Sequence, residues 1–261
     1  MWNGAAGAVP QDQEAATVQV SGIRHPEVRS YRAIVAGLDR FDELHALAPA
    51  VPQLLFQART RAGSLLDPAL LQGAPAAAGK PATEPLGAKL SGDDYALPLS
   101  LDDAGRFQVP RSQPAWNADA ELRLSKKHSE VRVWPHVRSP GLADNQRRLG
   151  DIRLECQVFV SIAKEEAPLH LVLLGNAVML GSDWCGFMKD KDRTWDVAMP
   201  ARLSAAVLRE GARSTALRVR GQRFQVPIGD NSWSNDAIIE VSFAPPAESA
   251  QTNPSTKGSV L

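Results

Sequence analysis

The chain has 261 residues, enough for one large domain or two ordinary ones. Its hydrophobic fraction of 44% and charged fraction of 22% are those of a folded, soluble protein. Lysine plus arginine (29) balances aspartate plus glutamate (29), so no global field draws nucleic acid or an anionic membrane toward it, and no apolar run nears the roughly 18 residues of a membrane span.

Residues 1–20, rich in Ala, Gly and Gln, read as a mobile terminus with a candidate edge strand from Thr17 to Val20. No basic stretch leads into an apolar core, so no signal peptide is recognisable; Met1 reads as a start placed ahead of a mature, exported chain. From Pro26 onward Val28, Tyr31, Ile34, Val35, Leu38, Phe41, Leu44 and Leu47 recur at three- and four-residue steps. That spacing predicts an amphipathic helix, opened by Pro26, closed by Pro49 and Pro52, and docked by its stripe on the module that follows.

A strand is expected over residues 54–61, a short helix over 64–72, and an exposed Ala/Pro/Gly loop over 73–89. Residues 95–101 and 106–109 form a hairpin candidate about Asp102-Asp103-Ala104-Gly105, followed by short alternating strands at 120–124 and 131–134. Residues 152–160 alternate as a strand through Cys156, and the apolar run 169–174 continues the module. Helical spacing over 200–209, a hairpin about Gly221 and a last strand over 237–243 complete it, leaving a polar tail after Pro245.

One word occurs twice. Arg106-Phe107-Gln108-Val109-Pro110 recurs as Arg223-Phe224-Gln225-Val226-Pro227, and Trp116 and Asp119-Ala120 recur as Trp233 and Asp236-Ala237, all at an offset of 117 residues. So long a period fits domain duplication rather than a solenoid. The predicted fold is therefore mainly β: two tandem antiparallel β-sandwich-like modules with an N-terminal amphipathic helix packed on the first. The segments are a mobile N-terminal stretch (1–25), the helix plus first β-module (26–140), the second β-module (141–245) and a disordered tail (246–261).

The stretch Leu101-Asp102-Asp103-Ala104-Gly105-Arg106-Phe107 resembles the Asp-x-x-Gly-x-Phe hairpin of carboxypeptidase regulatory-like domains, which are small transthyretin-like β-sandwiches. The second copy lacks the leading aspartates. The resemblance implies a non-catalytic accessory module with no active site to carry over.

Cys156 and Cys185 are the only cysteines, and a bridge between them would close a loop of about 30 residues, worth about 3 to 4 kcal/mol in the chain-entropy picture. Such a pair belongs in the periplasm or outside the cell; two buried thiols are the alternative. The repeated Phe107, Val109, Phe224 and Val226 read as core, and Trp116 and Trp233 as packed over it. The other reading makes the tryptophans stacking platforms for sugar rings. A basic region holding Arg132 and Arg138, with Trp134 interleaved, could bind an anion or simply face solvent.

Gly229 to Asp236 concentrates oxygen ligands without a calcium-loop spacing. The five histidines lack metal-ligand spacing, and no nucleophile elbow, phosphate loop or dinucleotide fingerprint occurs. No catalytic residue, cofactor or metal ligand is assigned. The expected function is a non-enzymatic binding or scaffold protein of the bacterial envelope, periplasmic or extracellular. Its partner is an envelope protein or glycan, not nucleic acid, and Trp116, Trp134, Trp233, Arg132 and Arg138 are the candidate contacts. The alternative is a hydrolase of an envelope polymer with dispersed catalytic groups.

Overall fold

The computed structural model describes residues 24–76, 82–178, 183–188 and 193–245. In chain order the elements begin with β1 (Pro26–Ser30), α1 (Tyr31–Glu43), β2 (Leu55–Thr60), α2 (Pro68–Gln72), β3 (Ala88–Gly92), β4 (Tyr95–Leu99), β5 (Arg106–Phe107), α3 (Gln113–Asn117), β6 (Glu121–Lys127) and β7 (Val131–His136). There follow β8 (Gln146–Arg148), α4 (Leu149–Glu166), α5 (Leu169–Val178), β9 (Trp195–Ala198), β10 (Leu203–Glu210), β11 (Arg213–Ala216), β12 (Val219–Arg220), β13 (Arg223–Val226) and β14 (Ile238–Phe243). With 33% strand and 26% helix the protein is mixed α/β, and the expectation of a mainly β chain is corrected. The anticipated terminal strand at Thr17 to Val20 and the tail 246–261 lie outside the described residues.

The two halves follow the same path. One four-stranded antiparallel sheet runs β1-β6-β3-β4 and the other β8-β14-β10-β11, so the first, third and fourth strands of each half occupy matching places, as do the strands β6 and β14 that follow the repeated Asp-Ala pair. Register agrees as well: Leu122 lies between Arg29 and Leu90, and Ile239 between Arg147 and Leu208. At both strand-to-helix junctions the first helical N–H donates to the alanine of the repeated Asp-Ala pair, Tyr31 to Ala120 and Leu149 to Ala237, each at 2.9 Å. The word Arg-Phe enters a second, smaller sheet in each half: β5 pairs with β2, and β13 with β9. Here the halves diverge, for β7 extends the first small sheet beyond β2 whereas β12 extends the second beside β13.

Helix α4 joins the halves. Leu154, Val158 and Ile162 enter the first core with Ile34, Phe56, Phe107 and Leu122, while Leu149, Ile152, Cys156 and Val160 enter the second with Leu208, Phe224 and Ile239. Two i, i+4 stripes displaced by two residues lie on nearly opposite sides of a helix. Read along the chain, they alternate as a strand does, which is why residues 152–160 mimic one. The N-terminal helix is corrected too. Pro26 opens β1, Ser30 caps α1 by accepting the Arg32 N–H at 3.2 Å, and α1 packs on α4 as well as on the first core. A Cβ on Gly37 would stand 2.8 Å from the Ile162 side chain, so glycine permits this close helix crossing.

Four further expectations change. The expected helix over 200–209 is instead strand β10 from Leu203 onward, because a register shift between Leu203 and Ala205 spaces the inward residues Leu203, Ala206 and Leu208 at three and then two. The run 169–174 belongs to helix α5. The 102–105 turn forms, with Gly105 at φ 71° and its N–H donating to Asp102 at 2.9 Å, yet it makes no hairpin. β4 pairs with β3 and β5 with β2, so the turn carries the chain from one sheet to the other. Of the expected 73–89 loop, residues 77–81 lie outside the described residues; among the rest Leu86 and Ala88 are buried, and β3 starts at Ala88.

Candidate binding surfaces

The five residues singled out as contacts fall in different surroundings. Trp116 stands on α3, 36% exposed, with the Arg32 guanidinium 4.4 Å over its ring and Ala115 taking the core position beside it. The expectation that it packs over the core is thereby corrected. A cap explains the difference: Ser112 accepts the Ala115 N–H at 3.2 Å and starts a helical turn, which rotates Trp116 outward. In the second copy Asp230 instead accepts the Ser232 N–H at 2.9 Å, no helix forms, and Trp233 is buried in the second core with Arg213 3.7 Å over its ring. Trp134 stacks on Phe159 at 5.1 Å, and Phe159 meets Trp195 edge-on at 5.5 Å.

The basic residues are engaged with the protein itself. Arg138 donates to the carbonyls of Ala143 (2.7 Å), Gln146 (3.0 Å) and Leu142 (3.2 Å), which spends its guanidinium on tying down the loop ahead of β8. Arg132 forms an ion pair at 4.0 Å, beyond hydrogen-bond reach, with the fully buried carboxylate of Glu27, which accepts hydrogen bonds from Arg29 and the Val133 N–H. Deeper in, Arg59 donates to Gln57 at 2.9 Å and Arg147 pairs with Glu155 at 3.2 Å. Next to them sits His136. Burial, reinforced by Arg147, Arg59, Arg106 and Arg138, drives its imidazole down from 6.5 to about 3, so it is neutral at physiological pH.

Cys156 and Cys185 form a disulfide, with a Cα separation of 6.1 Å. The bridge ties the 183–188 segment to α4. Trp184, next to Cys185, donates its indole N–H to Asn176 on α5 at 2.9 Å. Through that contact the disulfide holds α5 in place, while the rest of the helix stands out. Leu169, Leu171, Leu173, Leu174 and Val178 are between 49% and 72% exposed, and no residue of α5 is buried. The apolar run is visible in the sequence; its exposure is not, because a run without a polar face ordinarily marks a buried element.

A cleft of ≈ 680 Å³ opens in the second half, along β11 and across to Gln225, Pro227, Asp230 and Trp233. Of the five candidate contacts, only Trp233 lines it. Arg213 bridges its floor, bonding the Ser232 carbonyl at 2.8 Å and hydroxyl at 2.9 Å while covering Trp233. Asp230 is held below the usual carboxylate range, first by the Ser232 N–H and hydroxyl, against a smaller opposing effect of burial. The other carboxylate of the Gly229–Asp236 segment is also occupied: Asp236 pairs with Arg148 at 2.6 Å. Among the described residues no group of three or more His, Cys, Asp or Glu side chains is placed to hold a metal ion, and no helix is long and apolar enough to cross a membrane. Compared with family models, with curated proteins and with solved structures, the chain finds no match.

Proposed function

We propose that this protein is a non-enzymatic binding or scaffold protein of an oxidising compartment, the bacterial periplasm or cell surface, built from two related β-rich modules that arose by duplication. Helix α5 carries the reading. A helix that is apolar on all sides is stable in water only while something covers it, and five large aliphatic side chains standing open on one short element mark a surface made for a partner. A bilayer fits it poorly: α5 has ten residues, too few to span, and no lysine or arginine to meet lipid headgroups. A protein partner with an apolar groove fits it well. The disulfide supports the compartment, since it fixes the segment that holds α5 and persists only where thiols are not kept reduced.

The test passes envelope extract over the immobilised protein and over a Leu171→Asp/Leu174→Asp variant, alongside soluble peptidoglycan and glycan fragments assayed for both binding and cleavage. A protein retained by the parent and lost by the variant is the expected result. Cleavage of the fragments would replace this reading with a hydrolase.

A further inference from the structure

β11 is the outermost strand of its sheet, and all four of its residues are exposed. The ladder to β10 shows which of its backbone groups are in use. The strands meet at the pair Glu210↔Arg213 across a two-residue turn, and further along the Leu217 N–H donates to the Ala206 carbonyl at 2.8 Å. Bonding residues alternate in an antiparallel ladder, so Arg213, Thr215 and Leu217 turn their N–H and C=O toward β10. Ser214 and Ala216 turn theirs outward. Among the described residues no strand pairs with that outer edge, and the ≈ 680 Å³ cleft runs beside it.

The other half shows what a closed edge looks like. β4 is the matching outer strand, with the closing pair Gly92↔Tyr95 and, three residues on, Pro98 opposite Lys89 where the second half has Ala216 opposite Val207. By the same alternation Pro98 faces outward, and a proline there has no N–H to offer a passing strand. The Tyr95 hydroxyl also bonds Ser112 at 3.1 Å, drawing the start of α3 against the strand. One half thus carries a device against strand pairing, and the other leaves the same position open.

Charge selects among occupants. The cleft lining carries Arg213 and Arg218 against the single carboxylate of Asp230, which already accepts from Ser232. A second copy paired antiparallel through its own β11 would bring Arg213 and Arg218 of both copies onto one short edge, and like charges across a strand pair are destabilising. An extended chain with acidic side chains meets the arginines favourably while its backbone bonds Ser214 and Ala216. We propose that β11 is a docking edge for an extended, acidic polypeptide segment of a partner protein, which adds as the fifth strand of the β8-β14-β10-β11 sheet. This site does not depend on α5, and substitutions on α5 leave it intact.

The experiment uses the full chain and three labelled octapeptides alternating Thr or Val with Glu, with Ser, or with Lys, followed by fluorescence anisotropy. The Glu peptide is expected to bind at least tenfold more tightly than the Lys peptide. Ala216→Pro is expected to weaken it at least tenfold at an unchanged thermal midpoint, because the variant keeps every bond to β10. Independently of that variant, hydrogen exchange of the unmodified protein should show new protection at Ser214 and Ala216 when the Glu peptide is added. Absence of binding by all three peptides, equal binding of Glu and Lys peptides, or absence of protection at these two amides overturns the proposal, as does a folded Ala216→Pro protein that binds as tightly as the parent. A doubling of mass in solution that Ala216→Pro abolishes also overturns it, by assigning the edge to a second copy.

Discussion

The two halves place Phe107 and Phe224 alike, each buried where a small sheet meets the core, but they treat the tryptophans that follow in opposite ways. Trp116 is turned out by the helical turn that Ser112 caps, and Trp233 is turned in where no helix forms. The same contrast recurs at the sheet edges, closed by Pro98 in one half and open at Ala216 in the other. A repeated word secures the strand in which it sits, because its alternation must match a buried face. It does not secure the loop after it, where one capping hydroxyl or one proline redirects a side chain. The shared frame is therefore structural, and the exposed features lie where the halves differ.

The sharpest way to break this comparison is truncation of the paired aromatics. Phe107→Ala and Phe224→Ala should each cost about 3 to 5 kcal/mol by urea unfolding, and Trp233→Ala a similar amount. Trp116→Ala should cost less than about 1 kcal/mol, since an exposed side chain leaves no cavity behind. Equal losses for the two tryptophans would contradict the difference in burial. Next in size comes the disulfide, which only the second half has. Reduction should remove about 3 kcal/mol, measured as a lower thermal midpoint, and should speed hydrogen exchange on α5, which the bridge anchors through Trp184.

Between pH 7 and pH 5 the smallest effect belongs to β7, which has no counterpart among the described strands of the second half. Its His136 stays neutral in the folded protein down to about pH 3, whereas the unfolded chain protonates this side chain near 6.5. Stability contributed by the neutral imidazole is thus fully present above pH 6.5. It drains as pH falls through the window to about 3, by at most about 1.4 kcal/mol per pH unit. Unfolding curves at pH 7 and pH 5 should show that loss, and His136→Gln should flatten it.

Much of the frame can be read without coordinates. The strands at 55–60, 131–136 and 238–243 announce themselves by alternation, the Gly221 hairpin by its turn, and the cysteine pair by its isolation in the sequence. Failures have a common physical origin in periodicity produced by something other than the usual element. α4 alternates because it serves two cores at once, and β10 looks helical because a bulge breaks its alternation. The candidate surfaces were less legible. Composition marks α5 as apolar but cannot say that its neighbours leave it uncovered, and nothing local in Arg213-Ser214-Thr215-Ala216 says that it is an edge.

The repeated unit, the cysteine pair and the buried phenylalanines can be read from the residues in order, because each depends on spacing and residue chemistry within a short stretch. The packing of distant segments is what makes α4 shared, sets Trp116 and Trp233 apart, and leaves α5 and the outer edge of β11 uncovered among the described residues. Those outcomes depend on which distant segment arrives to cover a surface. Where none of the described residues arrives, as at α5 and the outer edge of β11, apolar side chains and backbone donors and acceptors are left exposed.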